Sequence, residues 1–159
     1  MERIKTAPKI EDEIHDLLEN DVQKNALEFT AYLNENNMTP QRWFGPTSWR
    51  VPYDKYYLCG IFLNRRGKFR VYFFRGSYQG TFNENFLKSI YDHVTPCIDC
   101  GGECPKGETA TIFGKTFENT CFQFPIQFEN PDGSTIKHIK DLIEYWKTIV
   151  SDSDSWHTR

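Results

Sequence analysis

The chain has 159 residues, a length that suits one domain and can bury a hydrophobic core without disulfide cross-links. A formal net charge of -3 provides no basic surface for nucleic acid, and the sequence contains no stretch of about 18 apolar residues that could span a membrane. Its beginning lacks the apolar segment of a secretion signal. We therefore expect a cytoplasmic protein whose five cysteines are thiols or metal ligands, without a nucleic-acid or membrane partner.

Apolar residues in the first quarter of the chain have the spacing of helices that bury one face. We predict helical structure over residues 9–36, with a break near Asn20 and Asp21. Asn36 and Asn37 are suited to end the helix, because asparagine tolerates the left-handed backbone of a helix terminus.

Beyond residue 41 the apolar pattern becomes that of strands. Short extended segments are predicted at 43–44 and 49–51. Residues 56–64 and 68–75 predict an antiparallel hairpin, with a turn at 65–67, and apolar side chains on both of its faces place it centrally in a sheet. Regular alternation would put Tyr57, Cys59, Ile61 and Leu63 on one face and Tyr56, Leu58, Gly60 and Phe62 on the other.

The second half of the chain predicts a helix, a hairpin and a closing helix. Residues 83–93 form the predicted helix, and residues 109–113 and 116–124 form the hairpin. Gly114 at the first turn position favours a type II′ turn, with Lys115 second. The buried stripe of the closing helix is predicted to comprise Ile136, Ile139, Ile143, Trp146 and Val150.

These elements predict an α+β domain. A mostly antiparallel sheet of about five to six strands is covered by N-terminal and C-terminal helices, with a cysteine-rich loop at one side. We expect one domain over residues 1–150 and a frayed tail over residues 151–159.

Four of the five cysteines fall within residues 97–121, in a polar segment that contains Gly101 and Gly102. Zinc at structural sites takes four tetrahedral ligands, and four cysteines form a common set. The paired glycines would let the backbone fold tightly, and the hairpin would return the last cysteine to the first three. The sequence therefore predicts a structural zinc site with the ligands Cys97, Cys100, Cys104 and Cys121.

Other interpretations of this cluster stay open. Cys-x2-Cys-x3-Cys-Pro is similar to the end of the bacterial ferredoxin motif, which suggests an iron–sulfur cluster in which Cys121 replaces a missing ligand. Cys97 and Cys100 could instead form a redox dithiol, although the acidic residue between them disfavours a reactive thiolate. The cysteines could also be unconnected thiols. His93 is a possible substitute ligand, whereas Cys59 is expected to pack in a strand.

A second candidate site lies in the strand region, where aromatic and arginine residues are dense. Rings could form the walls of a pocket on the sheet, and arginines could hold an anion with paired donors. The alternative is that these rings are the core of a domain with few aliphatic residues. The candidate residues for binding a small molecule, as in a sensor domain, are Trp49, Arg50, Tyr57, Tyr72 and Arg75.

Three segments of this region, FGPTSWRVPY (44–53), YLCGI (57–61) and RVYFFRG (70–76), resemble small bacterial α+β domains of the YdhG type, often labelled frataxin-like iron chaperones. The resemblance covers residues 43–92 and implies an α+β fold. The segment IFGKTFENTC (112–121) is similar to bacterial proteins in which a cysteine loop precedes a hairpin. Neither resemblance implies a catalytic residue.

No enzyme motif is present in the sequence. It contains no nucleophile elbow, no phosphate-binding loop, no zinc-protease helix and no dinucleotide fingerprint. We therefore name no catalytic residue, and the sequence favours a metal-binding protein over an enzyme, with a thiol redox enzyme as an open alternative.

Overall fold

The computed structural model describes residues 8–151. This part of the chain is α+β, as predicted, with helices before and after the strands and an antiparallel sheet between them. The elements are α1 (Ile10–Leu17), α2 (Asn20–Glu35), β1 (Gln41–Arg42), β2 (Ser48–Tyr53), β3 (Tyr56–Leu63), β4 (Phe69–Phe73), α3 (Glu84–Asp92), β5 (Glu108–Ile112), β6 (Lys115–Thr120), β7 (Ile126–Glu129) and α4 (Gly133–Ser151). The predicted tail lies, apart from Ser151, outside the described residues.

Five strands form one antiparallel sheet in the order β1-β2-β3-β4-β7, and β5 and β6 form a separate hairpin. Helices α1, α2 and α4 cover one face, which we call the inner face. Phe29 of α2 contacts Phe69 of β4 at a ring distance of 6.1 Å, and Trp49 Nε1 of β2 donates to Glu13 Oε2 of α1 at 2.6 Å. The opposite, outer face carries Arg50, Gly60, Tyr72 and Gln127, which lie in register across four strands.

The predicted break between the first two helices is confirmed. Helix α1 ends at Leu17, and α2 begins at Asn20 with a φ of 53°. The end of α2 also follows the prediction, because Asn37 adopts a φ of 57°. The Met38 N–H then donates to the Leu33 carbonyl at 2.8 Å, which satisfies a carbonyl of the last turn.

The predicted alternation along β3 is wrong at its beginning. Val51 pairs with Cys59 but Pro52 pairs with Tyr57, so Leu58 is an extra residue in β3. Such a β-bulge puts two successive side chains on the same side and reverses the alternation before it. The inner face therefore carries Tyr56, Leu58, Cys59, Ile61 and Leu63, and Tyr57 lies on the outer face.

The turn between β5 and β6 also differs from the prediction. Its two central residues are Phe113 and Gly114, and both have positive φ, of 45° and 85°. This pattern is that of a type I′ turn rather than II′. Tertiary contacts hold Phe113 in this conformation: its N–H donates to the Tyr78 carbonyl at 2.9 Å, and its carbonyl accepts from the Tyr91 hydroxyl at 2.6 Å.

Residues 93–97 connect the two sheets. Val94 forms an antiparallel bridge with Ile126 of β7, and Pro96 forms one with Thr120 of β6. A proline fits this position because the flanking residues make the hydrogen bonds of the bridge. The segment therefore fixes the β5–β6 hairpin beside the main sheet, and the cysteine loop leaves from its end.

Candidate functional site

The short ladder between residues 93–97 and β6 fixes two of the predicted zinc ligands. The Cys97 N–H donates to the Asn119 carbonyl at 2.8 Å, and the Cys121 N–H donates to the Thr95 carbonyl at 2.8 Å. Cys97 and Cys121 thus occupy diagonal positions on one side of an antiparallel pair, within reach of each other's side chains.

The other two ligands lie on the loop of residues 98–107. Among residues 8–151, no backbone–backbone hydrogen bond outside the helices and strands involves this loop. Asp99 forms an ion pair with Lys106 across its base. At its end Gly107 has a φ of +70°, and a Cβ there would lie 2.5 Å from Asn119 Oδ1, so both the backbone and the space favour glycine.

All four predicted cysteine ligands line one cavity of about 450 Å³. The loop forms one wall, and the other is formed by the outer face of β4 and β7 together with the segment between β6 and β7. The four thiols are free, with Cys100 exposed and the other three half-buried. The wall opposite the loop is formed by Arg70, Phe122, Phe124, Gln127 and Glu129.

The donor set matches a zinc site in residue type, but the thiols do not converge on one point. Within the described residues 8–151, no group of three or more His, Cys, Asp or Glu side chains is arranged to hold a metal ion. Four sulfur donors in one cavity are nevertheless the ligands that structural zinc prefers. Zinc binding therefore stays a prediction, and it requires the loop to draw its two cysteines toward the ladder.

Two further candidate ligands lie away from this cavity, since neither His93 nor Cys59 lines it. The His93 ring packs on Phe128 at 4.4 Å, and its Nδ1 donates to the Ser89 carbonyl at 2.6 Å. Cys59 is fully buried on the inner face. Its side chain packs in the core of the sheet, as predicted.

The burial of Cys59 has a consequence at alkaline pH. Burial raises the pKa of this thiol far above its ordinary value of 9.0, so the folded protein keeps a proton that the unfolded chain releases. Its contribution to stability is complete well below pH 9 and falls as the pH rises through 9, with a slope that approaches about 1.4 kcal/mol per pH unit. We expect urea unfolding between about pH 9 and pH 10 to show a shallower loss of stability in Cys59→Ala than in the wild type. An equal loss of unfolding free energy with pH in the two proteins would contradict the raised pKa of Cys59.

The five predicted small-molecule ligands do not share one surface. Trp49 lies on the inner face, almost fully buried, because it precedes Arg50 on the same strand and points the opposite way. Arg50, Tyr57 and Tyr72 lie on the outer face. Arg75 lies beyond the end of β4, where its guanidinium carbon is 3.9 Å from the ring centre of Phe122.

The outer face carries a row of aromatic rings that the predicted site residues include only in part. Trp43 stacks on Tyr72 with ring centres 6.2 Å apart, and Tyr72 contacts Phe124 at 4.7 Å. Phe44 contacts Trp43 at 4.6 Å and is 62% exposed. Because Phe124 also lines the cysteine cavity, the row ends there. The sequence shows the rings, but not that Phe124 lies next to Tyr72.

No helix in residues 8–151 is long and apolar enough to cross a membrane. Comparisons of the whole chain with known proteins gave no relative: no family model, no curated protein and no solved structure matches it.

Proposed function

We propose that the protein binds one zinc ion through Cys97, Cys100, Cys104 and Cys121, and that the ion fixes the loop of residues 98–107 to the edge of the sheet. The observation that carries this proposal is that four free thiols line one cavity. Five free cysteines also favour a reducing compartment, so we propose a cytoplasmic location.

Two of the four proposed ligands are held in place by backbone hydrogen bonds, and the other two are not. Cys97 and Cys121 have their backbone N–H groups hydrogen-bonded in the ladder, so their positions are fixed by the fold. Cys100 and Cys104 lie on the loop that lacks such bonds, and Gly101, with a φ of +81°, lets the chain turn directly after Cys100. This arrangement favours capture of an ion by the fixed pair, followed by closure of the loop.

The proposed role is structural. The function we propose for the site is to order a loop that has few internal contacts, since binding of zinc by thiolates contributes directly to folding. An iron–sulfur cluster and a redox dithiol at Cys97 and Cys100 are the alternatives, and metal content together with colour separates them.

Serine variants test the ligand set. Cys121→Ser and Cys100→Ser remove one fixed and one loop ligand, and each should weaken zinc binding by about tenfold or more in competition with a coloured chelator. Cys59→Ala is the matched control, because it removes a thiol that does not line the cavity. Its zinc affinity should equal that of the wild type.

Two results would count against the proposal. One is a zinc affinity that is the same in Cys121→Ser, Cys100→Ser and the control. The other is a wild-type protein that binds no zinc and whose Cys97 and Cys100 form a reversible disulfide, which would favour the redox alternative.

A further inference from the structure

Arg50 carries a buried hydrogen-bond donor without a partner. Its Nε is buried and makes no hydrogen bond within residues 8–151. The guanidinium carbon lies 4.1 Å from the ring centre of Tyr57, so the ring covers one face of the cation. Buried donors in native proteins are nearly always paired. The missing partner of Arg50 is therefore expected to be an acceptor, and an anion suits a guanidinium best.

A second donor lies on the same face, two strands from Arg50. Gly60 is directly opposite Arg50 on β3, and Tyr72 is directly opposite Gly60 on β4. The Tyr72 ring lies over the glycine, since a Cβ at Gly60 would be 2.2 Å from Tyr72 Cε2 and 2.6 Å from its hydroxyl oxygen. Glycine at this position thus leaves room for the ring, and the hydroxyl lies over β3, the strand between Tyr72 and Arg50. Burial raises the pKa of Tyr72 above its ordinary value, so the hydroxyl keeps its proton.

The rings next to these donors provide a surface for stacking. Trp43 lies nearly parallel to Tyr72, with an angle of 27° between the ring planes. Phe44 stands on Trp43 at 70° and is one of two large apolar side chains exposed in the described part of the chain. An exposed ring at the end of a row that reaches Tyr72, on the face that also carries Arg50, is suited to a ligand that has both a flat apolar part and a negative charge.

We propose that the outer face binds a small aromatic molecule that carries a carboxylate or a similar oxyanion. The oxyanion accepts hydrogen bonds from Arg50 and from the Tyr72 hydroxyl, and the aromatic part packs against Trp43 and Phe44. The two donors lie on β2 and β4, on either side of Gly60 of β3, so their side chains must converge over β3 to bind one oxyanion. This site is separate from the proposed zinc ligands, and it does not depend on them.

The test uses the ¹⁵N-labelled full-length protein as purified, with 1-naphthoate as the probe and 1-naphthalenemethanol as its uncharged counterpart. We expect naphthoate to shift the Nε–H signal of Arg50 and the amide signal of Gly60 in a saturable way. The alcohol should bind about tenfold more weakly or worse, because it lacks the charge-assisted hydrogen bonds.

Three variants test whether Arg50 is responsible for naphthoate binding. Arg50→Gln should reduce naphthoate binding to the level of the alcohol, whereas Arg65→Gln removes the same charge from the exposed β3–β4 turn and should change binding by less than about twofold. Arg50→Lys keeps the charge if the glutamine variant fails to fold, and it should weaken binding because the planar donor fork is lost.

Several outcomes would overturn the proposal. They are equal binding of naphthoate and the alcohol, equal binding by Arg50→Gln and Arg65→Gln, wild-type affinity in Arg50→Lys, and the absence of saturable binding. Shifts confined to residues 97–121 would place the ligand in the cysteine cavity and would also overturn it.

Discussion

Replacing Phe128 with alanine should lower the free energy of unfolding by about 3–5 kcal/mol. Phe128 of β7 is fully buried, and its ring contacts Phe73 at 6.1 Å and the His93 ring at 4.4 Å. The loss leaves a cavity where β7, β4 and the end of α3 meet, and neighbouring side chains on fixed strands fill it only in part. Urea unfolding followed by circular dichroism measures the effect.

Phe44→Ala is the matched control for this prediction. It removes the same number of atoms from a ring that is 62% exposed, so the free energy of unfolding should change by only about 0.5 kcal/mol. Similar losses for the two variants would contradict the described position of β7 in the core.

The second large effect is expected on removal of zinc from the proposed site. Stripping the metal should leave the helices and the main sheet folded but loosen residues 97–121, because the loop has few hydrogen bonds of its own. Hydrogen exchange should become faster by about tenfold or more at the Cys97 and Cys121 amides, which are hydrogen-bonded in the short ladder. Returning zinc should restore the protection.

The buried part of α2 provides the internal reference for that experiment. The amides of Phe29 and Leu33 lie in a helix whose buried face packs in the core, away from the cysteine cavity, so their exchange should be the same with and without zinc. Uniform acceleration throughout the chain would mean that the metal supports the whole fold, and unchanged exchange at residues 97–121 would exclude a structural role for it.

The architecture could be predicted wherever local pattern and packing agree. The β3–β4 hairpin follows from two apolar runs and the turn residues between them, and the end of α2 follows from Asn37. The bulge at Leu58 could not be predicted, because every residue of β3 other than Gly60 is apolar and gives no sign of which face it takes. The left-handed backbone of Phe113 is accompanied by hydrogen bonds to Tyr78 and Tyr91, which are distant in the sequence, so no local pattern indicates it.

The candidate site also has features that the sequence predicts and features that it does not. Clustering of four cysteines in the sequence predicted a shared location, and the structure places all four around one cavity. Strand geometry alone would have separated Trp49 from Arg50, since adjacent residues on a strand face opposite ways. Phe124 lies between the cavity and Tyr72 because the chain leaves the ladder after Cys121. No local sequence pattern indicates the path of this segment.

The most direct test of the proposed zinc site is elemental analysis, with an absorption spectrum, of wild-type protein purified without chelator. We predict about one zinc per chain, a colourless solution and four cysteines protected from alkylation until the metal is removed. Brown protein containing iron, or metal-free protein in which these four thiols react freely, would contradict the zinc site.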